Sequence, residues 1–347
     1  MKILIVRVSS LGDVVHNMPM LADIVRHHPD AVIDWVVEEA YVDLVRLNRH
    51  VRHVIPIALR RWRRSLAAAS TRAEMLAFYR QLRADTYDVI FDTQGLLKTG
   101  LVMQLARRTH RGRRIGLANA TEGSGYEAMS RLFHTESVNV APRAHAVQRG
   151  RCVAARALGY SADHAPDFAL QAAAVTPAPA WLPKTPYTVF FHASAGAAKQ
   201  WPAAHWIAIA QLPTLQQLPL LLPWGSASER WAAEQLAQQL PNAQVLPRLN
   251  MLEAVLLAQQ AALVIGVDTG LTHVAAACGR PTIELYCASP RWKTAGTWSP
   301  SIINLGDNGQ PPSVAEVEHA VLGLLAAPAA AADSPEPADA DSTSDPH

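Results

Sequence analysis

The residue pattern with the clearest chemical meaning is an Asp-Thr-Gly turn at residues 268–270. The apolar run before it, residues 263–267, predicts a strand, and the spacing after it predicts a short helix over residues 271–277. A helix that begins at such a turn has free backbone N–H groups at its positive end, and these attract an anion such as a diphosphate. In the simpler alternative, Asp268 or Thr269 only caps the helix.

A second turn of this kind lies near the start of the chain. A strand pattern over residues 2–8 is followed by the loop Ser-Ser-Leu-Gly-Asp and by helical periodicity over residues 14–27. In an open α/β sheet, the carboxyl end of the first strand lies at the ligand crevice. Asp13, beside Gly12, is therefore a candidate base that takes a proton from a substrate hydroxyl. Its alternative role is the N-cap of a helix that begins after it.

Basic and polar side chains follow other predicted strands. Arg60, Arg61, Arg63 and Arg64 surround one tryptophan, and guanidinium groups bind carboxylates and phosphates with two hydrogen bonds. The alternative is a solvated run; nucleic-acid binding is disfavoured, because the run is short and belongs to no binding motif.

Three more strand ends carry candidate binding groups. Gln94 and Lys98 follow a strand that ends at Asp92, and Lys199 follows a strand over residues 187–192. The ammonium group of Lys199 is suited to a phosphate. Glu229 lies in the first turn of a predicted helix, where it either accepts hydrogen bonds from a ribose or only complements the helix dipole.

These residues need a scaffold in which strands alternate with helices, and the sequence predicts one in each half. The predicted fold is α/β, with two Rossmann-like, doubly wound domains that face each other across a cleft. Residues 1–165 form the first domain, the proline- and alanine-rich residues 166–186 a linker, and residues 187–326 the second domain with its last helix. Residues 327–347, rich in Ala, Pro, Asp and Ser, are predicted to be disordered.

Composition narrows the class of protein. Half of the 347 residues are hydrophobic and 17% are charged, as in ordinary globular proteins. No apolar run is long enough to span a bilayer, the N-terminus lacks the pattern of a signal peptide, and the three cysteines have no metal-site spacing. These features predict a cytoplasmic protein and indicate neither a disulfide framework nor a zinc site. Residues 1–165 hold 24 Lys and Arg but 15 Asp and Glu, which indicates an acidic partner for the first half.

Seven segments together resemble the ADP-heptose glycosyltransferase family, whose fold is GT-B. They are residues 2–19, 34–41, 55–64, 91–99, 190–206, 222–230 and 267–286. The resemblance covers the chain to about Leu325. The Gly-Asp loop and the Asp-Thr-Gly-x-x-His turn are common to the family, whereas the arginine run and residues 34–41 favour its type I branch over type II.

The resemblance implies transfer of L-glycero-D-manno-heptose from ADP-heptose to the Kdo of the lipid A–Kdo inner core, in lipopolysaccharide core biosynthesis. It implies inversion at the anomeric carbon, no metal and no cofactor, since ADP-heptose is a substrate. Asp13 would be the general base, and Lys199 would stabilise the leaving diphosphate. The other donor-binding residues would be Ser194, Ala195, Glu229, Leu249, Asp268, Thr269, Gly270, Leu271 and His273. The acceptor-binding residues would be Ser10, Gly12, Arg60, Arg61, Arg63, Arg64, Gln94 and Lys98.

The segment before Lys199 departs from the family pattern. The hydroxyl group is kept at Ser194 and lost at Ala195, which predicts altered donor affinity rather than altered chemistry. Alternatives are a type II or later transferase with a heptose acceptor, a nucleotide-sugar epimerase, and a binding protein without catalysis. The basic first half and a lipid-bearing acceptor predict peripheral association with the cytoplasmic face of the inner membrane.

Overall fold

The computed structural model describes residues 1–194 and 196–326, and its framework is a pair of parallel six-stranded sheets. The strands of the first sheet are β1 (Lys2–Val6), β2 (Val32–Glu38), β3 (Val51–Ile57), β4 (Tyr87–Asp92), β5 (Arg108–Leu117) and β6 (Glu136–Val138). Those of the second are β7 (Thr188–Phe191), β8 (Leu220–Leu222), β9 (Ala243–Val245), β10 (Leu263–Val267), β11 (Thr282–Tyr286) and β12 (Ile302–Gly306).

Both sheets have the same topology. The first has the order β3-β2-β1-β4-β5-β6, and the second has β12-β11-β10-β7-β8-β9, which is the same order when its strands are counted from β7. Every neighbouring pair is parallel. This is the order of a dinucleotide-binding doubly wound fold. The predicted fold of two such sheets is confirmed.

Helices connect the strands and cover both faces of each sheet. They are α1 (Leu11–Asn17), α2 (Pro19–His27), α3 (Val42–Arg46), α4 (Leu59–Trp62), α5 (Ala69–Leu82), α6 (Leu97–Leu105), α7 (Ala146–Leu158), α8 (Ala203–Ala210), α9 (Pro213–Gln216), α10 (Ala227–Ala237), α11 (Met251–Gln260), α12 (Gly270–Ala277) and α13 (Val314–Ala326). Short 3-10 turns lie at Glu39–Tyr41, Ala128–Phe133, Ala197–Lys199 and Arg291–Lys293.

The buried side chains fall into three groups. One continuous core joins the two sheets through α1, α2, α3, α7, α11 and α12. A second lies beneath α4, α5 and α6 on the other face of the first sheet, and a third lies beneath α8, α10 and α13 on the other face of the second. Apart from Lys2 at the start of β1, the central strands β1 and β10 are apolar and buried, because both of their faces are covered.

Several predicted elements have different bounds in the structure. Residues 14–27 are not one helix: α1 ends at Asn17 and α2 starts at Pro19, which lacks the N–H that a continuous helix would need. The sequence around residue 115 predicts a short strand over residues 114–116, whereas the structure has the ten-residue β5 there. Strands β6, β9 and β12 were not predicted, because the first two have only three residues each and β12 is partly exposed.

Residues 166–186 contain no helix or strand, yet they are packed against the rest of the chain. Asn48 Nδ2 donates to the carbonyl oxygen of Phe168 at 3.0 Å, and Gln259 Oε1 accepts from the backbone of Ala173 at 2.6 Å. The segment therefore contacts both the first half (residues 1–165) and α11 of the second half (residues 187–326). Helix α13 packs on α8, β11 and β12. The exact domain boundaries stay predictions, and the predicted disordered tail at 327–347 lies outside the described residues.

Arg151 and Asp23 form a fully buried ion pair between α7 and α2, with a Nε–Oδ2 distance of 2.7 Å. Replacing Arg151 by alanine should lower the free energy of unfolding by about 3–5 kcal/mol, because the carboxylate would be left buried with one charged partner fewer. Urea unfolding followed by circular dichroism measures this. Arg46→Ala, which removes an exposed pair with Asp43, is the control and should cost less than about 0.5 kcal/mol. Equal losses in the two variants would refute the prediction.

Candidate active site

The predicted strand–turn–helix junctions meet where the strand order of each sheet reverses. In the first sheet this point lies between β1 and β4, and in the second between β7 and β10. The loop after β1 leads into α1, and the turn after β10 leads into α12. The two helices pack on each other, so the carboxyl ends of both sheets open into one cleft.

Two glycines make the close contact between α1 and α12 possible. A Cβ atom on Gly270 would lie 2.6 Å from Cγ of Leu11, and one on Gly12 would lie 3.1 Å from Cδ2 of His273. Both distances are shorter than ordinary carbon–carbon contacts. Glycine at these positions therefore sets the distance between the two halves of the cleft.

Gly270→Ala should push α1 and α12 apart and lower the free energy of unfolding by about 1–3 kcal/mol, as overpacking does in well-packed interiors. Gly323→Ala is the matched control, because nothing lies within 4 Å of that position in α13. There alanine should stabilise the helix by up to about 1 kcal/mol. Thermal unfolding of both variants checks the prediction, and a Gly270→Ala protein as stable as the wild type would contradict it.

The cleft contains a cavity of about 440 Å³ to which both halves contribute. The first half supplies Ser10, Leu11, Gly12, Asp13, His16, Tyr41 and Arg60. The second half supplies Ser194, Lys199, Asp268, Thr269, Gly270, His273, Ser289, Lys293 and Thr294. The structure thus brings most of the predicted donor residues, the predicted base and one predicted acceptor arginine to one place.

Asp13 lies inside the first turn of α1, and not before the helix as its alternative role as N-cap required. Its Oδ1 is 2.5 Å from a terminal nitrogen of Arg7 and 3.1 Å from one of Arg149. Its Oδ2 accepts from the backbone N–H and the hydroxyl of Ser10, at 3.1 and 2.9 Å. Burial disfavours the charged carboxylate, but the two guanidinium groups and Ser10 outweigh burial and hold the pKa of Asp13 well below its usual value. Asp13 is therefore an oriented, ionised carboxylate.

Asp268 is the centre of a polar cluster on the opposite side of the cavity. Lys199 Nζ is 2.6 Å from its Oδ2, which also accepts from the hydroxyl of Ser289 at 2.6 Å. Its Oδ1 is 3.0 Å from Nε2 of His273. Although burial disfavours its charge, the hydrogen bond and charge of His273, followed by the bonds from Lys199 and Ser289, hold the pKa of Asp268 well below its usual value.

The buried imidazole of His273 bridges two carboxylates. Its Nδ1 is 3.0 Å from Oε1 of Glu284, whose other oxygen accepts from the hydroxyl of Tyr286 at 2.9 Å and from the backbone of Gly296 at 2.9 Å. Burial acts against protonation, but the charge of Glu284 and the bond to Asp268 raise the pKa of His273 to about 10. The imidazole is thus protonated at neutral pH, and it holds Asp268 and the start of α12 in place.

The start of α12 is open to a ligand. The side chain of Thr269, its N-cap residue, makes no capping hydrogen bond among the described residues, and the carboxylate of Asp268 is engaged by Lys199, Ser289 and His273 instead. The alternative in which either residue only caps the helix is therefore wrong. Thr269 and Gly270, at the start of this eight-residue helix, line the cavity together with Lys199. The first N–H groups of a helix have no partner within the helix and are suited to an anion.

A second cavity of about 340 Å³ adjoins the first and shares Leu11, Ser194 and Thr269 with it. Its lining includes the predicted Leu249 and Leu271, together with Phe191, Pro223, Trp224 and Met251. Glu229 also lines it, and one oxygen of its carboxylate accepts from the backbone N–H of Gly225 at 2.7 Å and of Ser226 at 3.2 Å. The predicted helix-terminal role of Glu229 is present, and the side chain also faces this cavity. Ala195 lies outside the described residues.

The predicted acceptor residues are only partly brought together. Arg60 lines the cavity beside Tyr41, with its guanidinium carbon 5.7 Å from the ring centre. Arg61 points elsewhere, toward Glu39 and Glu74. Gln94 lies behind the β1 loop, where its Oε1 accepts from the backbone of Val8 at 3.0 Å. The exposed side chains of Arg63, Arg64 and Lys98 do not line the cavity in the described structure.

Sequence reasoning missed several residues of the site. Arg7 and Arg149 bind Asp13, and Ser289 and Glu284 complete the cluster around Asp268 and His273. His16 also faces the cavity: its buried Nε2 has no hydrogen-bond partner among the described residues, and its ring centre is 4.6 Å from that of His273. Burial and the neighbouring charge of His273 lower the pKa of His16, so it is neutral.

Two hydrogen bonds join the halves of the chain beside the cavity. Nε2 of His145, just before α7, is 3.1 Å from the carbonyl oxygen of Ala295. Nζ of Lys293 donates to the carbonyl oxygen of Gly123, in the loop between β5 and β6. Together with the packing of α1 on α12, these bonds hold the cleft in a narrow form.

Comparison with known proteins assigns a family to this architecture. Residues 75–320 match the sequence profile of glycosyltransferase family 9 (heptosyltransferase). The chain belongs to this family. The family-9 chain is 36% identical, over 309 residues, to lipopolysaccharide heptosyltransferase 1 of Pseudomonas aeruginosa, in an alignment that covers 89% of this chain and 84% of the relative.

Solved structures agree with this assignment. The Escherichia coli heptosyltransferase WaaC with ADP is 30% identical, with a TM-score of 0.80 over 93% of this family-9 chain and all of that one. The same enzyme with ADP-2-deoxy-2-fluoro heptose is 32% identical, with a TM-score of 0.75 over 94% of this chain and 99% of that one. The GT-B fold and the glycosyltransferase class predicted from the sequence are confirmed.

Two further observations concern the described part of the family-9 chain. None of its helices combines the length and the apolar character needed to cross a membrane. One group of side chains of the types that bind metals, Asp34, His53 and Asp85, lies outside the cavity, and Arg52 already bonds both of its carboxylates. That group is an ion-pair cluster of the first sheet.

Proposed function

We propose that the protein transfers L-glycero-D-manno-heptose from ADP-heptose to a Kdo hydroxyl of the lipid A–Kdo inner core, with inversion at the anomeric carbon. Membership of the heptosyltransferase family and the overall similarity to lipopolysaccharide heptosyltransferase 1 support heptose transfer in lipopolysaccharide core biosynthesis. The observation that carries the mechanism is that Asp13 and Lys199, from different halves, line the same cavity.

In the proposed step, the acceptor hydroxyl oxygen forms a bond to the anomeric carbon while the bond from that carbon to the diphosphate breaks. The hydroxyl proton passes to Asp13, and the electron pair of the broken bond leaves with ADP. Asp13 and the α12 start come from different halves and line the same cavity. In this proposal the anomeric carbon lies between the acceptor hydroxyl at Asp13 and the diphosphate at the α12 start, so the attack is opposite the leaving group and inverts the anomeric centre. Arg7 and Arg149 keep Asp13 ionised, so its carboxylate is free to accept the proton. The hydroxyl becomes strongly acidic as its oxygen bonds to the anomeric carbon, and transfer to this weak base then becomes favourable.

The donor is proposed to occupy both cavities. The largely apolar cavity beside Leu249 and Trp224 suits the adenosine, with Glu229 at the ribose. The diphosphate would then lie at the start of α12, between its backbone N–H groups and Lys199. A fixed cation and a helix terminus stabilise the negative charge that grows on the leaving diphosphate. In this proposal they supply the positive charge, and the reaction uses neither a metal nor a cofactor.

The acceptor is proposed to enter from the first half, where Arg60 lines the cavity. Its guanidinium group suits a Kdo carboxylate or a phosphate. Arg63 and Arg64 lie on the adjoining surface and would contact the acceptor outside the cavity, whereas Arg61 is held by two glutamates and is the weakest member of the predicted set. A lipid-bearing acceptor places the proposed site of action at the cytoplasmic face of the inner membrane.

The test is transfer from ADP-heptose to two purified acceptors, lipid A carrying Kdo and the same molecule already carrying one heptose. We expect a product only with the first, identified by a mass increase of one heptose. Transfer only to the heptosylated acceptor would overturn the proposed acceptor and support the type II alternative. Failure with both acceptors, in protein shown to bind ADP, would overturn the proposed function.

A further inference from the structure

The helical layer that covers one face of the first sheet has an outer surface that is both apolar and basic. It consists of residues 59–83, 97–105 and 128–133, which include α4, α5, α6 and the 3-10 turn Ala128–Phe133. The inner side chains of this layer, among them Trp62, Phe78 and Met103, share one buried cluster on the sheet. We call its outward surface the basic apolar face.

Exposed large apolar side chains are concentrated on the basic apolar face. The described residues contain eleven such side chains, and eight of them lie on this face: Leu66, Met75, Leu76, Tyr79, Leu97, Leu101, Met129 and Leu132. Leu132 is 77% exposed and Met129 is 61% exposed. Single exposed leucines are ordinary, but a concentration on one layer indicates a surface that contacts another apolar phase or partner.

The same surface carries a large excess of positive charge. Its basic residues are Arg60, Arg61, Arg63, Arg64, Arg72, Arg80, Arg83, Lys98 and Arg131, and its one acidic residue is Glu74. Glu74 accepts hydrogen bonds from Arg61 and from the indole of Trp62, so it neutralises only one of these cations. The other guanidinium groups on the exposed side, such as Arg72 and Arg80, face solvent.

We propose that the basic apolar face docks the protein on an anionic lipid bilayer. Lys and Arg near an anionic lipid surface are attracted to its phosphates, and leucine, methionine and tyrosine side chains enter the boundary between headgroups and acyl chains. The face begins at Arg60, which also lines the proposed active-site cavity, so docking brings the cleft to the lipid surface. This inference rests on the proposed function, because the lipid-bearing acceptor is part of that proposal.

Two other occupants fit the surface less well. A second copy of the chain would bring two strongly positive faces together, and their repulsion opposes association. A nucleic acid would be attracted to the arginines, but it offers no apolar phase for aliphatic side chains such as Leu101 and Leu132. An anionic bilayer matches both the charge and the apolar side chains.

The experiment is co-sedimentation of the full-length protein, without substrates, with vesicles of phosphatidylcholine containing 30% phosphatidylglycerol. We expect the wild type to bind these vesicles at low salt and to bind pure phosphatidylcholine weakly. Arg72→Gln/Arg80→Gln should weaken binding by about 30-fold, since each cation near the surface contributes about 1 kcal/mol. Leu76→Ser/Leu132→Ser should weaken it by about tenfold and should remove binding that persists at high salt.

Trp231→Ser is the matched control, because Trp231 is 64% exposed but lies on α10 of the second half. It should bind vesicles like the wild type. Transfer to a Kdo-bearing sugar without lipid should be the same in all of these variants.

This assay separates the docking proposal from the proposed function. If transfer fails while vesicle binding is intact, only the proposed function is overturned. The docking proposal is overturned if the wild type does not bind anionic vesicles, or if both double variants bind as it does. It is also overturned if sedimentation velocity shows a wild-type dimer that the leucine variant converts to a monomer, because the face would then be an interface between copies.

Discussion

Asp13→Asn should lower kcat by about three orders of magnitude while leaving the affinity for ADP unchanged. The amide has no basic oxygen with which to take the acceptor proton, and general bases typically contribute about 10²–10⁴-fold. The nucleotide is proposed to be held by groups of the second half, at Lys199, the α12 start and the cavity beside Leu249, and not by this side chain. Turnover with saturating donor and acceptor, together with calorimetric titration of ADP, measures the two effects separately.

The substitution also leaves Arg7 and Arg149 without their shared carboxylate, so folding must be checked by circular dichroism and thermal unfolding. Asp43→Asn is a suitable control, because that aspartate is exposed on α3 and its ion pair among the described residues is with Arg46. The control should keep full activity. If folded Asp13→Asn protein turned over at the wild-type rate, Asp13 would serve only to position α1 and the two arginines, and another group would be the base.

Lys199→Ala should reduce kcat/KM for the donor by about 10²–10³-fold, the range seen when one group that stabilises developing negative charge is removed. Lys199 is 37% exposed on the cavity side, so its ammonium group is accessible to a diphosphate. Lys199→Arg keeps the charge and should recover part of the loss. Initial rates over a range of ADP-heptose concentrations give both constants.

Lys184→Ala is the control for this series, since Lys184 is exposed and lies outside both cavities. It should behave as the wild type. A Lys199→Ala enzyme with unchanged kcat/KM would mean that Lys199 only neutralises Asp268, and the charge on the diphosphate would have to be met by the α12 start and Lys293.

The strand–turn–helix junctions were predictable because each is encoded locally. The apolar run before Asp268 and the helical spacing after Gly270 lie within one short stretch, and the same holds for the loop that contains Asp13. The alternation of such units along the chain was enough to predict the α/β fold class. Since strand ends of parallel sheets meet at one edge, the meeting of these turns in one cleft follows from the topology.

The partners of the site residues were not predictable, because they come from distant parts of the chain. Arg149 lies near the start of α7, 136 residues after Asp13, in a segment without any motif. Glu284 is an inward-facing residue of β11 whose sequence context is that of any buried strand. For the arginine run, the sequence predicted too large a set of site residues. The four arginines are close together in sequence, but the short helix α4 directs only Arg60 into the cavity.

The hydrogen bonds from His145 to Ala295 and from Lys293 to Gly123 have a kinetic consequence. Both join the halves beside the cavity, so any movement that separates the halves to admit a nucleotide or a lipid-bearing sugar requires these bonds to break or loosen. Opening then carries a free-energy cost on every catalytic cycle, and binding of the two substrates favours closure. We therefore expect the slow step of turnover to be the departure of ADP from the closed protein, rather than the formation of the glycosidic bond.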